Sequence, residues 1–150
     1  GNPKKYNFPR PEVKLSKLDF SFSGLKTSLL YKYQKIIKEN KEFKIADLAA
    51  SYQEAIIDTL IDRIIKVSRI TKIINISIAG GVAANTRFRF KTKLMLKDID
   101  VKLYFPKMEY CTDNAAMIAV AGYQQLKSGF QSSLSLEANP NLALDETVEV

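Results

Sequence analysis

The chain has 150 residues, enough for one domain that buries roughly 70% of its unfolded surface, so a multidomain reading is not required. Its hydrophobic fraction is 46%, and no run approaches the ~18 uninterrupted apolar residues of a membrane span, which predicts a soluble protein with no membrane partner. A net charge of +7 with no histidine and one cysteine, Cys111, makes a polyanionic partner an expectation, removes the commonest general base and metal ligand, and excludes a disulfide framework.

Gly1 to Leu18 holds Pro3, Pro9 and Pro11 among several lysines and reads as an extended basic lead-in. It begins without an initiating methionine, like the middle of a loop, so the chain is read as a fragment. Asp19 to Phe22 alternates as a short strand ending at Ser23-Gly24. Leu25, Leu29, Tyr33, Ile36 and Ile37 follow helical spacing up to Asn40. The longest helix is predicted from Ile45 to Ile70, with Leu48, Tyr52, Ile56, Leu60 and Val67 on one stripe and Ile57, Ile61 and Ile64 widening it.

A strand over Ile74–Ile78 then runs through Gly80-Gly81 into a basic helix predicted from Val82 to Lys97. Val101 to Phe105 is a further strand, ended by Pro106. After it, Thr112 or Asp113 is placed to cap a helix whose stripe, Ala115, Ile118, Ala119, Gly122 and Leu126, predicts close packing. Every Lys and Arg lies at or before Lys127; the body carries +11 and residues 129–150 form an acidic tail of −4 from Glu137, Asp145, Glu146 and Glu149. The excess suits RNA or DNA, although solvated lysine-rich helix faces produce the same count. Strand-helix-strand order indicates α/β with a parallel pair, and so few strands imply a sheet completed by the lead-in or by chain outside this sequence.

Three segments, Ser21 to Thr27, Ala79 to Asn85 and Tyr110 to Asn114, each lead into a helix and are expected to gather at one sheet edge, where α/β proteins bind ligands. Ser23-Gly24 with Lys26 and Thr27 is either a weak phosphate-loop echo or a turn with Ser23 as cap. Asn85, one turn into its helix, either aims its amide at a ligand above the Gly80-Gly81 turn or is solvated. Asp113 is either a cap or a hard oxygen ligand for a metal. Cys111 lacks a histidine base and reads as a small buried residue.

Taken together, Asp19 to Thr27, Ala79-Gly80-Gly81-Val82 with Asn85, and Cys111-Thr112-Asp113-Asn114 with Met117-Ile118-Ala119 resemble, in that order, the C-terminal half of the tRNA threonylcarbamoyladenosine transferase family, once called glycoproteases. Phe8-Pro9-Arg10-Pro11 fits the same lead-in, and the likeness covers about residues 1 to 130. The resemblance implies an actin-like, ribonuclease-H-like two-lobed fold, with residues 19–128 as the C-terminal lobe, carrying inserted helices and an incomplete sheet. It implies transfer of threonylcarbamoyl from threonylcarbamoyl adenylate to the adenosine beside the anticodon of tRNA, in the cytoplasm and with partner subunits of a modification complex. By position, Asn85, Gly80 and Gly81 would form the adenylate pocket. Asp113 would ligate one divalent metal, iron or zinc, whose remaining ligands, a His-x-x-x-His pair, lie outside this chain.

The fragment is therefore expected to be inactive alone, and its broad apolar helix faces to favour a dimer. The alternative is a non-catalytic scaffold of the same fold, which would need no metal ligand at Asp113. The endopeptidase activity in the older family name is rejected, because the chain holds no nucleophile-base pair and no zinc-protease motif.

Overall fold

A computed structural model describes residues 1–11, 18–138 and 140–141. The chain divides into two compact units, Gly1–Cys111 and the remainder from Thr112. The first unit contains helices α1 (Ser23–Lys38) and α2 (Ile45–Thr71), strand β1 (Asn75–Ser77), a 3-10 turn (Gly81–Ala84), helix α3 (Thr86–Met95), strand β2 (Lys102–Tyr104) and a second 3-10 turn (Met108–Tyr110). Helix α4 (Ala115–Lys127) belongs to the second unit. The class is α/β, and no helix among the described residues is long and apolar enough to cross a membrane.

Helix α2 organises the first unit. Its 27 residues span about 40 Å at 1.5 Å per residue, far enough to serve two apolar clusters. Near its N-terminus Leu48 and Ala55 join Leu25 and Ile36 of α1 and Phe8 of the lead-in, with Tyr52 and Ile56 packed alongside. Further along, Ile57 and Ile61 join Phe88 of α3, flanked by Ile78 and Phe105 from the strand ends. The predicted apolar stripe is thus divided between two cores, while its first member, Ile45, is 73% exposed. The helix ends at Lys72, whose φ of 61° turns the chain left-handed and whose N–H donates to the Ser68 carbonyl.

The lead-in is less extended than its prolines suggest. Asn2 N–H donates to Asp47 Oδ1, Ser51 Oγ donates to the Asn2 carbonyl, and Tyr6 N–H donates to Ser51 Oγ, stitching the segment along α2. Phe8 is buried against the edge of Tyr52, ring centroids 5.5 Å apart. Burying a phenylalanine contributes roughly 1.5–3 kcal/mol, so these first residues are part of the core.

The strand predicted at Asp19–Phe22 does not form. The Asp19 carbonyl is taken by Nε of Arg63 at 3.1 Å, not by a ladder, and α1 starts at Ser23 with Phe22 as its N-cap residue. Arg63 is 2% exposed and also donates to the Pro11 carbonyl and to Asp62. A buried guanidinium needs such partners, and here backbone carbonyls on both sides of residues 12–17 supply them.

β1 and β2 pair in parallel with register Asn75–Lys102, Ile76–Leu103 and Ser77–Tyr104. Alternation leaves Ile76 and Leu103 half-buried and their neighbours exposed. Both strands fall inside the predicted ranges, and among the described residues they are the whole sheet. In the second unit the stripe of α4 was expected to pack closely, yet α4 has no buried residue, and Ile118 is 69% exposed. Asp145, Glu146 and Glu149 of the predicted acidic tail lie outside the described residues.

Candidate functional site

The predicted helix from Val82 to Lys97 is two pieces, and the break builds the site. Gly80 adopts φ 83° and ψ 176°, a backbone state that side chains strain against, and turns the chain out of β1. Gly81 to Ala84 make one 3-10 turn; Asn85 then leaves helical geometry, with φ −68° and ψ 113°, and starts α3. Asn85 therefore sits at the N-cap, not one turn into a helix. Its Oδ1 accepts the Phe88 N–H at 2.9 Å and its Nδ2 donates to Gln53 Oε1 at 3.0 Å.

Between this turn and α2 lies a cavity of about 590 Å³, lined by Tyr52, Gln53, Ile56, Ile57 and Leu60 on one side and Gly81, Val82, Ala84 and Asn85 on the other. Gly81 and Asn85 reach it; Gly80 shapes the turn but is not in the lining. Among the described residues, no charged side chain lines it. Ser23, Lys26 and Thr27 line a different space, an apolar groove of about 720 Å³ floored by Leu29, Leu48 and Phe43. The expected gathering of Ser21–Thr27 beside Asn85 is thus not seen, because α1 packs on the front half of α2 and α3 on the later half.

Two arrangements hold the turn in place. Arg89 donates from Nε to the Ala83 carbonyl at 2.5 Å and through one terminal nitrogen to the Pro106 carbonyl at 2.6 Å and Cys111 Sγ at 3.2 Å, lying 4.9 Å from the Phe105 ring centroid. Cys111 is buried, as expected, and ties the loop after β2 to the turn. Across the helices, Glu54 pairs with Arg87 at 2.8 Å and with Lys91 at 2.5 Å, while Asp58 pairs with Lys91 and, at 2.7 Å, with Arg10. Hydrogen bonds from Arg87 and then Lys91 hold the Glu54 carboxyl down at about 2. Glu54 and Asp58 are four residues apart, as are Arg87 and Lys91, so the matching charged faces were present in the spacing.

In the second unit Asn114, not Thr112 or Asp113, caps α4: its Oδ1 accepts the Met117 N–H at 3.0 Å, and its amide donates to the Thr112 carbonyl. The exposed Asp113 carboxylate is consequently not consumed by capping. As a metal donor it is one hard oxygen, and no group of three His, Cys, Asp or Glu residues able to hold an ion occurs among the described residues. The donor set fits one position of a coordination sphere and cannot complete it.

Because Asn85 is a cap, replacing it with alanine should destabilise the chain by about 1 kcal/mol, whereas serine, which still accepts the Phe88 N–H, should restore most of that. The midpoint of urea unfolding measures both.

A family model described as tRNA N6-adenosine threonylcarbamoyltransferase matches residues 1–120. Curated proteins bearing that name are similar: one from Thermotoga neapolitana is 43% identical over 144 residues, covering 96% of this chain and 43% of the relative. One from Thermosipho africanus is 44% identical over 96% of this chain and 43% of its own length. One from Kosmotoga olearia is 46% identical over 96% of this chain and 42% of its own length. The chain therefore spans less than half the length of these relatives, which are named as transferases. On the match across residues 1–120, this chain belongs to the tRNA N6-adenosine threonylcarbamoyltransferase family.

Proposed function

We propose that this chain is the C-terminal lobe of an actin-like, cytoplasmic enzyme that moves threonylcarbamoyl from threonylcarbamoyl adenylate to the adenosine next to the anticodon of tRNA. The observation that carries the reading is the cavity where Gly81, Val82 and Asn85 face α2, in a chain of this family. Gly80 turns the chain at positive φ and Gly81 leaves the rim without a side chain, so a nucleotide can approach the backbone without meeting a Cβ. Asn85 presents one amide edge from a helix terminus locked by its own cap bond.

Asp113 is assigned one ligand position of a divalent iron or zinc ion, the others coming from chain outside this sequence. Such an ion supplies Lewis acidity at the carbonyl that the adenosine amine attacks. This chain's contribution is binding and orientation: α2 and the 3-10 turn hold the adenylate, and the basic body offers charge to the tRNA backbone. The amine bonds to the carbamoyl carbon, adenylate departs through its phosphate oxygen, and the amine loses a proton.

With a single metal donor the isolated chain should be inactive. Incubated with threonylcarbamoyl adenylate, iron or zinc, and tRNA, it should give less than about 1% of the modified nucleoside formed by the full-length protein, measured by mass spectrometry of digested tRNA. Robust modification by the chain alone would remove the assignment of it as an incomplete lobe.

A further inference from the structure

Hydrogen-bond polarity in the cavity is fixed by a relay that begins at a backbone group. The Phe88 N–H can only donate, so the oxygen of Asn85 must face it, at 2.9 Å. The Asn85 amide nitrogen must then face α2, where it donates to Gln53 at 3.0 Å, and Gln53 must answer with Oε1. This leaves the Gln53 amide nitrogen and its two N–H donors with no partner among the described residues, on a side chain that lines the cavity. Asn85 itself retains one N–H. Gln53 is half-buried and no buried side-chain polar atom lacks a partner among the described residues, so this amide nitrogen is open to solvent and free to exchange water for a ligand acceptor.

The remaining lining narrows the acceptor. Ile56, Ile57, Leu60 and Val82 are apolar, and no cation among the described residues lines the space, so a phosphate buried against them would have its charge unpaired. A flat ring bearing acceptor nitrogens satisfies both conditions.

We propose that Gln53 is a substrate-binding residue of this site, donating from Nε2 to a ring nitrogen of the adenine base while Asn85 holds its amide in register. This rests on the adenylate reading of the cavity. The base then lies between α2 and the 3-10 turn, with its phosphate directed away from the apolar wall.

The test uses the full-length protein with AMP as probe, by calorimetry. Gln53→Glu keeps an oxygen for the Asn85 amide but replaces the donor with an acceptor; it should weaken AMP binding about tenfold or more while the melting temperature stays within about 1 °C of wild type. Gln53→Ala should weaken binding comparably and also lower the melting temperature. Among 1-deaza, 3-deaza and 7-deaza AMP, one should bind wild type about tenfold more weakly than AMP, and Gln53→Glu should not distinguish that analogue from AMP. AMP binding to Gln53→Glu within twofold of wild type, or an equal response of wild type to all three analogues, overturns the role of Gln53 and leaves the adenylate reading standing. Failure of wild type to bind AMP overturns both.

Discussion

Replacing Glu54 with alanine should lower the stability of the chain by about 3 kcal/mol, because it removes the buried carboxylate that Arg87 and Lys91 share and strands Arg87. Lys91 would retain Asp58, but Arg87 would keep, among the described residues, only the face of Phe90, 5.8 Å away. The Arg87 side chain is 37% exposed, so water recovers some of the loss, and the figure stands at the low end for a broken buried pair. Acid should reproduce the effect in wild type. The Glu54 carboxyl is lowered from 4.5 to about 2 by Arg87 and then Lys91, so its contribution is fully present above pH 4.5 and is lost as pH falls from there toward 2. Urea midpoints between pH 6 and pH 3 should decline for wild type and flatten for Glu54→Gln; identical slopes would mean that another group carries the acid sensitivity.

Asp113→Ala in the full-length protein should reduce transfer at least about 100-fold and lower the bound iron or zinc, with little change in melting temperature of the metal-free form. The structure motivates the last clause, since the capping bond of α4 comes from Asn114, and the Asp113 side chain is exposed. Elemental analysis after dialysis separates the possibilities. Unchanged metal content would return Asp113 to the surface and favour the scaffold reading of this chain. Loss of folding in the metal-free variant would instead give Asp113 a structural role that its surroundings do not suggest.

Periodicity made α2 and both strands readable, because a long apolar stripe at helical spacing and a short alternating run each suit one backbone geometry. The family signature supplied Gly80, Gly81, Asn85 and Asp113, and the structure adds where the first three sit: a positive-φ turn, a cavity lining and a helix cap. What sequence reasoning missed depends on long-range partners. The strand at Asp19–Phe22 had a fair alternating pattern, but nothing local reveals that Arg63, 44 positions away, claims the Asp19 carbonyl. Phe8 sat among prolines and lysines and looked like lead-in, though it is 2% exposed. The division of the predicted Val82–Lys97 helix was hinted at by Asn85, a residue that caps helices better than it extends them. Gln53 carried no local signal at all; its importance arises only where α2 meets the turn.

The stitching of the lead-in along α2 has a consequence for recognition. Because Phe8, Ser51 and Tyr52 immobilise one flank of α2 while Glu54 and Asp58 lock another to α3, the helix surface bordering the cavity is already ordered before any ligand arrives. On the proposed reading, a nucleotide entering there would meet a wall already packed, and little of its binding free energy would be spent on freezing side chains.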